Sequence, residues 1–127
     1  MSGNDHRSPG VLSAALSKGK YAEIICDNIH VSKEAIIIAK KCIPWLYAIT
    51  DSINASGLND GEYILAKNNI KKENNSVKIK SDGTLAGSIV TMDQTFKNLI
   101  SMDFSLEEAV ALTSYNASKY LLSLIHI

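Results

Sequence analysis

The sequence predicts an α/β fold in which helices pack outside a parallel pair of strands. Three observations carry this. Two apolar runs, Tyr21-Ala22-Glu23-Ile24-Ile25-Cys26 and Trp45-Leu46-Tyr47-Ala48-Ile49-Thr50, have strand length and β-branched or aromatic content. A helical stretch over residues 32–41 separates them, and a crossover of that kind joins parallel strands. Each run stops abruptly in ionisable residues, Asp27-Asn28-Ile29-His30 after the first and Asp51-Ser52 after the second. A β-α-β unit thus delivers a histidine and an aspartate to one sheet edge. In parallel α/β folds chemistry sits at that C-terminal edge.

The elements follow in order. Ser8 can cap a first helix and Pro9 fits its first helical position; the helix carries Val11, Leu12, Ala15 and Leu16 and ends near Gly19. The first strand covers about residues 21–27. Ser32 caps the second helix, which bears Ile36, Ile37, Ile38 and Ala39 and is closed off by Pro44. The second strand covers about 45–50, and residues 54–61, rich in Asn, Ser and Gly, form a loop. Residues 62–72 and 76–80 read as two short strands joined by Asn74-Asn75, a lysine-rich ribbon with an exposed polar face. Ser81-Asp82-Gly83-Thr84 is a further turn, and Leu85-Ala86-Gly87-Ser88 returns the chain to the body.

The C-terminal third is helical. Thr91 with Gln94, and Ser105 with Glu108, have capping-box spacing. Phe96, Leu99 and Ile100 form one apolar face, and Leu106, Ala109, Val110 and Leu112 the next. A third short helix starts near Tyr115 and carries Ala117, Tyr120 and Leu121. The closing residues, 122–127, are apolar and carry no cap or polar tail.

Composition bounds the function. A length of 127 residues suits one domain with a modest core. The 13 basic and 13 acidic residues cancel, so no basic field exists to attract nucleic acid or an acidic membrane. No apolar run approaches the roughly 20 residues needed to span a bilayer, and the polar start, residues 1–7, is not a signal peptide. Cys26 and Cys42 read as reduced thiols of a cytoplasmic protein, and their spacing makes no zinc motif. Gly83-Thr84-Leu85-Ala86-Gly87 lacks the spacing and strand context of a nucleotide-binding loop.

Six segments stand out along the chain: His6-Arg7-Ser8-Pro9-Gly10-Val11, Asp27-Asn28-Ile29-His30-Val31, Ile49-Thr50-Asp51-Ser52, Asp60-Gly61-Glu62-Tyr63, Asp82-Gly83-Thr84-Leu85-Ala86-Gly87-Ser88 with Thr91-Met92-Asp93, and Thr113-Ser114-Tyr115-Asn116-Ala117. Together they resemble the N-acetylglucosamine-6-phosphate deacetylases of the amidohydrolase superfamily. Order and spacing agree over residues 1–121, and the Gly-Thr-Leu-Ala-Gly-Ser stretch is the most distinctive part. The resemblance implies a partial metal-dependent-hydrolase (β/α)8 TIM barrel: the last two barrel strands, an inserted β-ribbon at about 62–80, and C-terminal helices. A whole barrel needs about 250 residues, so the resemblance also implies that the chain is an internal fragment, with Met1 an internal methionine and 122–127 an atypical tail.

It further implies hydrolysis of the N-acetyl group of N-acetylglucosamine-6-phosphate to glucosamine-6-phosphate and acetate, by a parent enzyme that is a homodimer. Its divalent metal (zinc or similar) would be held by ligands absent from this chain, and the fragment alone is expected to be inactive. Asp51 is implied as the catalytic acid–base group, its alternative being a turn-capping aspartate. His30 is implied to contact the sugar, with Asp27, Asn28 and Ile29 lining the same turn; Asn28 stands where the family has glycine and tolerates positive φ. The alternative for His30 is a solvated loop histidine. Arg7 is implied to bind the substrate phosphate through its planar fork, or else is a surface arginine. Leu85, Ala86 and Gly87 match a loop that approaches substrate through its backbone, or else form an ordinary turn.

Other readings remain. One is an amidohydrolase with another amide substrate. Another is a non-catalytic, self-associating or partner-completing module built on unpaired strand edges. A new zinc site from His6, His30 and Asp51 is a third.

Overall fold

The computed structural model describes residues 7–122, and the first strand pair organises them. Strand β1 (Tyr21–Ile25) leads through helix α2 (Lys33–Cys42) to strand β2 (Trp45–Ile49), and the two strands pair in parallel with Tyr21 opposite Trp45 and Ile25 opposite Ile49. Side chains alternate faces along a strand. Ala22, Ile24, Leu46 and Ala48 therefore turn to one side, where they join Ile36 and Ala39 of α2 in the main core. On the other side the Tyr47 hydroxyl donates to the Glu23 carboxylate at 3.0 Å, and Tyr21 stacks on Trp45. Burial, with Glu23 adding to it, pushes the Tyr47 phenol up to about 12. Ser32 caps α2 as its sequence predicts, accepting the Ala35 N–H at 3.3 Å.

Helix α1 (Val11–Lys18) departs from expectation at its start. Gly10 is the N-cap, in extended backbone and without a side-chain cap, so Ser8 and Pro9 lie outside the helix. Strand β1 also ends two residues earlier than predicted, because Asp27 folds back on the amides that follow it.

The ribbon has three strands rather than two: β3 (Gly61–Leu65), β4 (Asn68–Glu73) and β5 (Ser76–Ile79), antiparallel in that order. The stretch read as one strand turns at Ala66 and Lys67, with Ala66 at φ +55°. A two-residue hairpin calls for positive φ, which Gly or Asn would have signalled and Ala does not. One ribbon face is exposed, but Ile70 and Val77 are buried with Ala55 and Ala86 in a second core. Lys72 is buried as well, contrary to the exposed-lysine reading; its Nζ donates to the carbonyls of Ala55 and Leu58. The ribbon thereby fastens the loop that follows Asp51.

Helix α3 (Met92–Ser101) starts at Thr91, but the predicted capping box does not form. Thr91 Oγ1 donates to Asp93 instead, and Gln94 donates to Asn98. The box at Ser105 and Glu108 does form, opening α4 (Leu106–Val110). A π-helical turn, Ala111–Tyr115, carries α4 without a break into α5 (Asn116–Tyr120), so the expected separate helix is a continuation. Ala109 and Leu112 are buried, whereas Leu106 and Val110 are exposed, and the wider turn shifts the phase of the side chains that follow. It also brings Asn116 Nδ2 to the carbonyl of Leu46 at 2.7 Å. Leu99 is buried and Phe96 partly so, while Ile100 is exposed. No helix among the described residues is long and apolar enough to cross a membrane.

Candidate functional site

Both strands of the parallel pair run out at the same edge, and the segments beyond them hold their ionisable groups in different ways. After β1, Asn28 adopts φ +66° and turns the chain over Asp27. Asp27 Oδ1 accepts the N–H groups of Ile29 and His30, each at 2.9 Å, and Oδ2 lies 2.7 Å from His30 Nδ1. Burial raises the Asp27 carboxyl, but the backbone and ring hydrogen bonds from His30 and Ile29 outweigh it and hold the group below its ordinary value. With Nδ1 committed to Asp27, Nε2 is the ring atom left to meet a ligand. The turn is tied down from below: Asn98 Nδ2 donates to the Cys26 carbonyl at 2.9 Å, and Gln94 donates to Asn98 Oδ1 at 2.9 Å. Sequence reading missed Asn98, although an amide on the buried side of an amphipathic helix is a signal of such a tie.

After β2, Asp51 sits at φ +47° and is exposed. Residues 87–90 run beside it, with Ser52 and Ser88 forming a parallel bridge. Ser88 N–H donates to the Asp51 carbonyl at 2.9 Å, and the Ile53 N–H donates to the Ser88 carbonyl at 3.0 Å. Ser52 Oγ donates to the Val90 carbonyl at 2.9 Å. Gly87, at φ +50°, packs so close that a β-carbon there would stand 3.1 Å from the Asp51 carbonyl oxygen and 3.6 Å from its Oδ2.

A cleft of about 480 Å³ opens beside the β1 edge, and Asp27, Asn28 and Ile29 line it together with Asn75, Thr91 and Gln94. A second hollow adjoins it, also about 480 Å³, where Ile29 and Leu85 face the Asn74-Asn75 hairpin tip. The structure thus gathers Asp27, Asn28, Ile29 and Leu85 around adjoining clefts. His30, Asp51 and Gly87 stand at the same strand edge without lining either one. Ala86 is buried in the ribbon core, so its side chain is turned away from any ligand. Arg7 is exposed at the start of the described residues and has contacts of its own. His6 and His126 lie outside the described residues.

Among the described residues, no group of three or more His, Cys, Asp and Glu side chains could hold a metal ion. Glu23 is engaged by Tyr47 in mid-strand. Cys26 is buried, and burial with the neighbouring Asp27 charge pushes its thiol up to about 12, which makes it a poor ligand and nucleophile.

No protein-family model matches the chain. An N-acetylglucosamine-6-phosphate deacetylase of Lysinibacillus sphaericus is 38% identical over 120 residues, which cover 91% of this chain and 31% of that protein. A shorter Escherichia coli relative, provisionally named N-acetylgalactosamine-6-phosphate deacetylase, is 31% identical over 124 residues, covering 95% of this chain and 74% of the relative. Among solved structures, the N-acetylglucosamine-6-phosphate deacetylase of Thermotoga maritima superposes with a TM-score of 0.83 at 32% identity, over 92% of this chain and 33% of that one. The chain spans about a third of the length of the curated deacetylases of Lysinibacillus sphaericus, Vibrio furnissii and Bacillus subtilis that it matches.

Proposed function

The chain belongs to the N-acetylglucosamine-6-phosphate deacetylase family, and on that premise we propose that its strand edge is one wall of a site that hydrolyses the N-acetyl group of an amino-sugar phosphate. The observation that carries the reading is the parallel pair itself: the Asp27–His30 pair and Asp51 leave adjacent strands at one edge, beside clefts lined by polar side chains.

Amide hydrolysis needs a proton removed from the attacking water and a proton given to the departing amine. Asp51, exposed and rigidly seated, takes both roles in turn. His30, oriented through Nδ1 by Asp27, presents Nε2 to the sugar or to the acetyl oxygen. Asn28, Ile29 and Leu85 border the space for the sugar ring. Arg7 offers its guanidinium to the phosphate. Gly87 and Ala86 serve through their backbone. Residues 1–121 then form part of a (β/α)8 barrel, with the ribbon as an insertion. The whole enzyme is read as a homodimer using a divalent metal; the described residues do not fit a metal site, and no step above runs through one.

The glucosamine and galactosamine substrates differ at one hydroxyl. The Escherichia coli relative, of which this chain covers 74%, makes the galactosamine phosphate the second reading.

The test is a transplant of this chain in place of the matching third of the Thermotoga maritima enzyme. The chimera is expected to release acetate from N-acetylglucosamine-6-phosphate, to prefer it over the unphosphorylated sugar, and to lose the activity on Asp51→Asn. An Asp51→Asn chimera that retains activity would remove Asp51 from the mechanism.

A further inference from the structure

We propose that Ser88, with Gly87 before it, is the positioning residue for Asp51. The proposal rests on the reading of Asp51 as the acid–base group and adds how that group is aimed.

Asp51 adopts a left-handed conformation, φ +47°, uncommon for non-glycine residues though more accessible to Asp than to most, and its surroundings fix it there. The surroundings are the 87–90 segment. Through its main chain, Ser88 donates to the Asp51 carbonyl at 2.9 Å and accepts from the Ile53 N–H at 3.0 Å, so it holds the residue at its own carbonyl and the chain two residues on. Through its side chain it reaches the residue before: Ser88 Oγ donates to the Thr50 carbonyl and accepts from the Val90 N–H, the latter at 3.2 Å. Ser88 is 2% exposed, so water cannot substitute for these bonds.

Gly87 leaves the room the arrangement needs. A β-carbon there would stand 2.6 Å from Ile53 Cγ2 as well as against Asp51. The hydroxyl of Ser88 touches no reacting atom; it acts by fixing the backbone on which the carboxylate turns.

The experiment labels the aspartate carboxyl carbons of the full chain with ¹³C and compares the native protein with Ser88→Ala and Ser88→Thr by NMR. Loss of the hydroxyl is expected to shift or split the Asp51 carboxyl signal and to speed amide exchange at Ile53. The Asp27 signal, whose partners are Ile29 and His30, is expected to stay. Threonine, which keeps the hydroxyl, is expected to restore the native signal. Where alanine prevents folding, Ser88→Cys, close in size and a weaker donor, reads the same effect.

In the chimera, Ser88→Ala is expected to lower kcat by up to about 100-fold with KM unchanged. An unchanged Asp51 signal overturns the proposal, and so does an Asp27 signal that moves equally, since that reports general loosening. A chimera whose activity survives Asp51→Asn sinks the functional reading instead, while the NMR comparison still decides whether Ser88 seats Asp51.

Discussion

Replacing Gly87 by alanine is the sharpest test of how the Asp51 edge is packed. Two costs combine at this position. Alanine must adopt φ +50°, a left-handed conformation that costs an L-residue about 1–2 kcal/mol. Its β-carbon would also lie 2.6 Å from Ile53 Cγ2 and 3.1 Å from the Asp51 carbonyl oxygen, one of them fixed backbone. Overpacking of that kind costs about 1–3 kcal/mol.

Together the loss is about 2–5 kcal/mol, a large share of the roughly 5–15 kcal/mol that holds a typical domain folded. Gly83 supplies the control. It has φ +73° with nothing within 4 Å of the added carbon, so Gly83→Ala carries only the backbone cost of about 1–2 kcal/mol. In urea, with a slope of about 2 kcal/mol per molar, the midpoint should fall by about 1–2.5 M for Gly87→Ala and by about 0.5–1 M for Gly83→Ala. Equal midpoints for the two variants would refute the packing argument.

Three further outcomes follow from the geometry. Lys72→Met keeps the buried stem but takes the ammonium donor from the Leu58 carbonyl and leaves the Ala55 carbonyl to the Leu58 N–H, so urea unfolding should show a loss of about 1–3 kcal/mol and amide exchange in the 53–58 loop should quicken. Asp27 has a folded pKa below its unfolded value, so its contribution to stability is complete above about pH 4 and fades as pH falls through the folded value. Native protein should therefore lose urea resistance more steeply than Asp27→Asn as the pH falls below about 4, and parallel curves would show that the His30 and Ile29 bonds do not hold the carboxylate. Iodoacetamide at neutral pH should add one group, at exposed Cys42, and leave buried Cys26 untouched, as read by peptide mass.

The parts of the fold visible in the sequence are those where one local rule acts unopposed. The parallel pair shows because its apolar runs have strand length, and the place of Asp27 and Asp51 at its edge shows because they follow directly on those runs. Ser32 and Ser105 cap as their spacing says. The misses have a common cause, a competing partner that sequence spacing does not reveal.

Thr91 has Asp93 within reach and leaves Gln94 to Asn98. Ala66 takes a turn conformation usually left to Gly or Asn, held there by the β3–β4 ladder. Lys72 looks like a ribbon surface charge, yet its ammonium satisfies loop carbonyls. The hydroxyls of Thr113 and Ser114 bond back to the Ala109 and Val110 carbonyls beside the π turn, which hides the continuity of α4 and α5. At the site, Asp27 and His30 were legible as residues of one turn, while the hydrogen bonds between them came only with the fold. Asn98 and Ser88, which reach across 72 and 38 residues, were not.

The measurement that tests the central claim most directly is a titration of the ¹⁵N-labelled chain with N-acetylglucosamine-6-phosphate at millimolar concentration, followed by amide NMR. The proposed site predicts shifts at Arg7, at 27–30 and at 85–88, with none in the hollow between α2 and α4 lined by Lys40 and Glu108. Shifts confined to that helical hollow, or no shifts anywhere, would contradict it.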